Sequence, residues 1–190
     1  MRFLLSLQQD AKLFIYIHAL LMLFRCAFLV IYSGQLGNAG AEDVAEALWL
    51  GARISLKTTA FLVGFPFVFG TIPYALWKKW PAGGIRKILG SGGGGLMTLL
   101  FMVRIPYYEI FHQGFNIMLF NGMKDDRMAI WQTAVQQYQL WPRLFGALAL
   151  MAFFIWGLIK FLETPVYYPR HHVRILDMAA VVMVPVFAVF

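Results

Sequence analysis

The chain has 190 residues, is 61% hydrophobic and 13% charged, and carries 18 Phe, 6 Trp and 10 Met, more apolar material than one soluble core buries. Its net charge of +7 comes largely from basic residues at the ends of apolar segments, where lipid headgroups lie; no recognition module accompanies them, which excludes nucleic acid as the partner. The composition points instead to an all-α polytopic membrane protein with four complete transmembrane helices and the start of a fifth.

A hydrocarbon core of roughly 30 Å needs about 20 apolar helical residues, because each advances about 1.5 Å. The first span that meets this length is 13–32, entered from a polar start with Arg2, Asp10 and Lys12. Its apolar run is longer than the roughly 7–15 residues of a signal-peptide core and Arg25 interrupts it, so it reads as an uncleaved helix despite the A-x-A pattern at Ala39 and Ala41. Cys26 lies within it and, as the sole cysteine, has no internal partner. Residues 33–47, with Gly34, Gly37, Gly40, Glu42, Asp43 and Glu46, read as an aqueous loop.

The second span, 54–77, contains Pro66 and Pro73, and each proline removes a backbone donor, so a bent helix is expected. Lys78, Lys79, Arg86 and Lys87 crowd the following loop. The third span, 88–111, opens with Gly90 and Gly92 to Gly95, but Leu96 stands where a phosphate-binding loop needs Lys and no strand precedes it. Close helix packing through small residues is the expectation there. In the polar interval 113–142, Asp125 is placed to cap a helix whose Met128, Trp131, Val135 and Tyr138 share one face, either on the membrane surface or against other loops. The fourth span is 144–162. After Lys160, Arg170, His171, His172 and Arg174, the run 175–190 is short for a full span, and a longer chain is expected to continue beyond Phe190.

Orientation follows from the basic residues outside the spans. An N-terminus in the cytoplasm collects Arg2, Lys12, Lys78, Lys79, Arg86, Lys87, Lys160, Arg170 and Arg174 on the inner side, leaving only Lys124, Arg127 and Arg143 outside. The positive-inside rule therefore sends the fifth helix outward and places anything after it outside the cell membrane.

Four further basic residues, Arg25, Arg53, Lys57 and Arg104, fall in or beside the spans, all toward the outer half of the bilayer. A charge at that depth must face protein, water or a headgroup. Two readings stand: snorkelling and internal pairing with Glu109 and backbone carbonyls, or a cationic pocket for an anionic lipid headgroup. Glu109 and His112 are three apart on a helix and within reach as an acid/base pair, although an interfacial pair explains them as well. His171 and His172 lack acidic or Cys partners at metal-ligand spacing. No nucleophile constellation, metal motif or nucleotide loop can be defended, so this segment is expected to be non-catalytic and without a cofactor of its own.

Three places along the chain together resemble the membrane part of the lipoteichoic acid synthase family, sulfatase-like phosphoglycerol and phosphoethanolamine transferases of bacterial envelopes. They are Arg25 in span one, Gly51-Ala52-Arg53-Ile54-Ser55-Leu56 at the start of span two, and an outer interval with Tyr107-Tyr108, Phe115-Asn116, Asp125-Asp126, Ala129-Ile130, Thr133 and Tyr138. Ser55 stands where the family often has an acidic residue. The resemblance implies a five-helix anchor in the bacterial inner membrane, followed after residue 190 by an extracytoplasmic domain with a threonine nucleophile and a divalent metal, manganese or magnesium. Residues 1–190 would then anchor that domain and present a lipid, in particular an anionic phospholipid, to it. The competing reading is a non-enzymatic small membrane protein, a transporter half or an assembly partner.

Overall fold

Helix α1 (Arg2–Ile31) begins well before the apolar run, because Ser6 and Asp10 occupy one side of its first turns and are buried there. It is one of five α-helices among the residues that the computed structural model describes, 2–35, 37, 40–77, 79–115 and 140–165. A 3-10 turn (Ser33–Gln35) follows, then α2 (Ala41–Pro66), a π-helical turn (Phe67–Thr71), α3 (Ile72–Leu76), α4 (Ala82–Phe111) and α5 (Leu140–Glu163). No strand occurs among the described residues. The expected surface helix around residues 125–138 and the fifth span, 175–190, lie outside them, as do His171 and His172.

Among the described residues, four stretches are long and apolar enough to cross a membrane: Leu5–Ile31, Ala41–Leu76, Ala82–Glu109 and Trp141–Glu163. The fold is therefore an all-α membrane helix assembly. The second stretch starts earlier than the sequence suggested, since residues 41–47 are helical rather than loop. The Asp43 carboxylate accepts the Gly40 N–H at 2.9 Å, and Glu42 and Asp43 in the first turn complement the positive end of the helix dipole. Local capping thus outweighs the loop-like composition.

The two prolines of this stretch bracket the π-helical turn. Pro66 offers no N–H to the Leu62 carbonyl and its ring crowds that oxygen; the hydrogen-bond ladder widens after it, and the Ile72 N–H reaches back five residues to Phe67 O. Pro73 likewise has no N–H for the Phe69 carbonyl, four residues earlier. The Trp80 indole Nε1–H donates to that oxygen at 2.9 Å.

The chain forms two compact units, residues 1–94 with 156–190 and residues 95–155. In the first, Leu13, Ile17, Val63, Leu158 and Leu162 form the buried apolar cluster, with Phe14, Tyr16, Leu21 and Leu62 packed on it. Gly90 of α4 lets Leu13 approach, since a Cβ there would stand 2.8 Å from Leu13 Cδ1, and at Gly93 a Cβ would stand 3.3 Å from Leu62 Cδ2. In the second unit Gly95 packs on Met151 in the same way, at 3.3 Å from its sulfur. The glycine run is a packing surface, as expected, apart from Gly92, which faces open space.

Candidate functional site

Arg25 shows how α1 and α2 share a charge within the span. Its Nε donates to Ser55 Oγ at 2.9 Å, and its guanidinium lies so close over Gly51 that a Cβ there would be 2.6 Å from Nη1. Gly51 and Ser55 are four apart on α2, so they face α1 together, and both are buried. A larger residue at 51 would make the planar group shift, and a hydroxyl at 55 accepts its hydrogen bond without introducing a second charge.

Arg53 and Lys57 project elsewhere. At about 100° per residue they stand roughly 200° around α2 from Gly51 and Ser55 respectively. Both are exposed, and among the described residues neither has an ion-pair partner. The four cations grouped by sequence thus do not all meet: Arg25 is held on the α1 side of α2, and Arg53 and Lys57 share the outward side. Arg104, half-buried on α4, belongs to the second unit.

Glu109, which one of the two sequence readings pairs with those cations, forms an ion pair with Arg143. Both Glu109 and Arg143 are 42% exposed, and the Arg143 Nη atoms donate to Glu109 Oε2 at 3.2 and 3.3 Å. His112 instead ends α4: it takes a left-handed φ of 49°, and its N–H donates to Tyr108 O at 2.9 Å. Its ring meets Tyr108 edge-on at 6.1 Å. Glu109 and His112 therefore serve an ion pair and a helix end.

The buried ion pair of the first unit escaped sequence reading. Asp10, assigned to a polar start, and Arg86, assigned to a basic loop, form an ion pair at 2.6 Å with side chains only 5% and 6% exposed. Arg86 Nη2 also donates to Ser6 O at 3.0 Å, to Ser6 Oγ at 2.7 Å and to Thr71 Oγ1 at 3.0 Å. The Thr71 hydroxyl donates to the second Asp10 oxygen, and the Ser6 hydroxyl can donate to Thr71 at 2.7 Å. The hydroxyl protons are each used once and both carboxylate oxygens are engaged, a closed network that ties α1 to the π-helical turn and α4. The available signal was Ser6 and Asp10 at i and i+4 on one face of α1; Pro66 and Pro73 announce a disturbed helix between them, but not that it aims Thr71 at this pair.

Further polar ties lie at the same level. Lys12 Nζ donates to Thr164 O at 2.6 Å and to Thr164 Oγ1 at 3.0 Å, just past the C-terminus of α5, and Lys87 pairs with Glu163 at 2.9 Å. Lys87 and Glu163 are 40% and 46% exposed, so this level marks an edge of the hydrocarbon. About 20 residues of α2 counted back from Thr71 reach the opposite edge near Gly51. Arg53 and Lys57 then lie about 3 and 9 Å inside it, within reach of a headgroup because helical side chains lean toward the N-terminus.

Among the described residues no three His, Cys, Asp or Glu side chains gather as a metal site. Fold and site define an integral membrane protein of several helices with outward-facing cations in one half of the bilayer. No family model, no curated protein and no solved structure matches the chain.

Proposed function

We propose that this chain is the membrane domain of a cell-envelope transferase of the sulfatase-like, lipoteichoic acid synthase type, anchoring an extracytoplasmic catalytic domain and presenting an anionic phospholipid to it. The observation that carries the reading is the pair Arg53 and Lys57, exposed on the outward side of a membrane-spanning helix with no carboxylate partner among the described residues. Cations held at that depth gain most from a phosphate oxygen, and Arg offers two parallel donors for it. A second support is contact between two of the places that carry the resemblance, since Arg25 bonds to Ser55 and lies over Gly51.

In this reading the N-terminus is cytoplasmic, the protein sits in the bacterial inner membrane, and the cations lie in the outer leaflet. In this reading the divalent metal, manganese or magnesium, belongs to the catalytic domain expected after residue 190, and no chemical step is assigned to this segment. The reading frame beyond Phe190 tests the proposal at once. Several hundred residues with a threonine nucleophile and metal ligands support it; a stop soon after Phe190 overturns it in favour of a non-enzymatic membrane protein. With such a domain present, metal-dependent headgroup transfer in proteoliposomes should fall when Arg53 and Lys57 are both changed to Gln.

A further inference from the structure

A groove of about 620 Å³ runs down the outward side of α2 from Lys57 to Phe69. That volume lies within the roughly 300–1,000 Å³ typical of ligand sites. The sequence places three phenylalanines four residues apart, at 61, 65 and 69, so their rings form one ridge along the helix. The ridge is braced internally, with Phe61 edge-on to Phe65 at 5.0 Å and Phe65 stacked on Phe69 at 6.5 Å. Beside it Ala60 and Gly64 are small. Ala60 is buried and forms floor, while a Cβ at Gly64 would meet nothing within 4 Å among the described residues.

Polarity and charge decide what fits. From Lys57 to Phe69 the groove advances about 18 Å at 1.5 Å per residue. Its wall is apolar and stiff, whereas its end nearer the α2 N-terminus carries Lys57 and, one turn further, Arg53. An occupant must therefore be apolar along most of its length with an anion at one end. A free phosphate would leave the phenylalanine wall empty, and a zwitterionic headgroup would bring a second cation to the two already there.

We infer that this groove is a binding site for a single anionic phospholipid, one acyl chain entering it past Phe61 and over Gly64 and the phosphate held by Lys57 and Arg53. The inference rests on the lipid-presenting part of the proposed function and is independent of the transferase part. A lipid bound here with no transferase domain downstream would leave the site standing and remove only the enzyme.

The test is native mass spectrometry of the purified chain released from nanodiscs made of phosphatidylglycerol and phosphatidylcholine in equal amounts. The wild type should retain one phosphatidylglycerol in preference to phosphatidylcholine. Removing each charge, in Arg53→Gln and Lys57→Gln, should lower that preference about fivefold. Gly64→Leu fills an open position, so it should leave helicity and melting unchanged while lowering retention of both lipids. Equal retention of the two lipids by the wild type, or unaltered retention in Gly64→Leu, would overturn the site. Displacement of the bound lipid by glycerol phosphate alone would also overturn it, because the chain would then contribute nothing. A disulfide-linked dimer formed by Gly64→Cys in a Cys26→Ala background would show that a second copy covers this face, which is equally incompatible.

Discussion

Removing the Asp10 carboxylate tests whether the buried polar centre holds the first unit together. Asp10→Ala strips the counter-charge from a guanidinium that is only 6% exposed and leaves it with neutral oxygens of Ser6 and Thr71. Two unit charges about 4 Å apart at an effective dielectric of about 20 attract by about 4 kcal/mol, and breaking a buried pair from one side costs about 3–5 kcal/mol. Against a total stability of about 5–15 kcal/mol, that is a fifth or more of the whole. The double change Asp10→Leu with Arg86→Met removes both charges together and should cost far less, because no orphan charge remains. Reversible unfolding in mixed micelles, run as a double-mutant cycle, measures the coupling directly. A single-mutant cost under about 1 kcal/mol, or a double mutant as costly as the two singles summed, would refute the description of this pair as a closed, mutually dependent network.

The Trp80 indole stands in for a backbone donor that Pro73 lacks, so Trp80→Phe should destabilise by about 1 kcal/mol, and by less in a Pro73→Ala background where an N–H is restored; equal costs in both backgrounds would count against this. Glu109→Gln should cost no more than about 1 kcal/mol and the loss should shrink with added salt, since both partners of the pair are 42% exposed; thermal melts at low and high salt measure it. For topology, Gly34→Cys and Gly83→Cys, each where a Cβ meets nothing within 4 Å, should differ after Cys26 is replaced. Impermeant maleimide added to intact cells should label residue 34 and spare residue 83, and the opposite pattern would reverse the orientation.

Much of the architecture was legible because lipid imposes a simple rule. A helix that crosses hydrocarbon must be about 20 residues long and apolar all round, and both properties are local and additive along the chain. The four spans, the packing role of Gly90 and Gly93 and the disturbance between Pro66 and Pro73 follow from that rule and from backbone chemistry. Span ends were less legible: residues 41–47 have loop composition, yet a single cap at Gly40 and Asp43 extends α2 through them.

The partners of the charges were decided by the tertiary structure alone. Arg25 and Arg53 look alike in sequence, each an arginine near the same end of a span; one lies over Gly51 and bonds to Ser55, and the other faces outward, because α1 packs on only one side of α2. Asp10 and Arg86 are 76 residues apart and each resembles an ordinary polar flank, and their meeting depends on a π-helical turn that directs Thr71 between them. Hydrophobic length is a property of each segment and can be read one segment at a time. An ion pair is a property of two segments and their rotation about their own axes, and that rotation is set by where Gly90, Gly93 and Gly51 allow helices and side chains to approach.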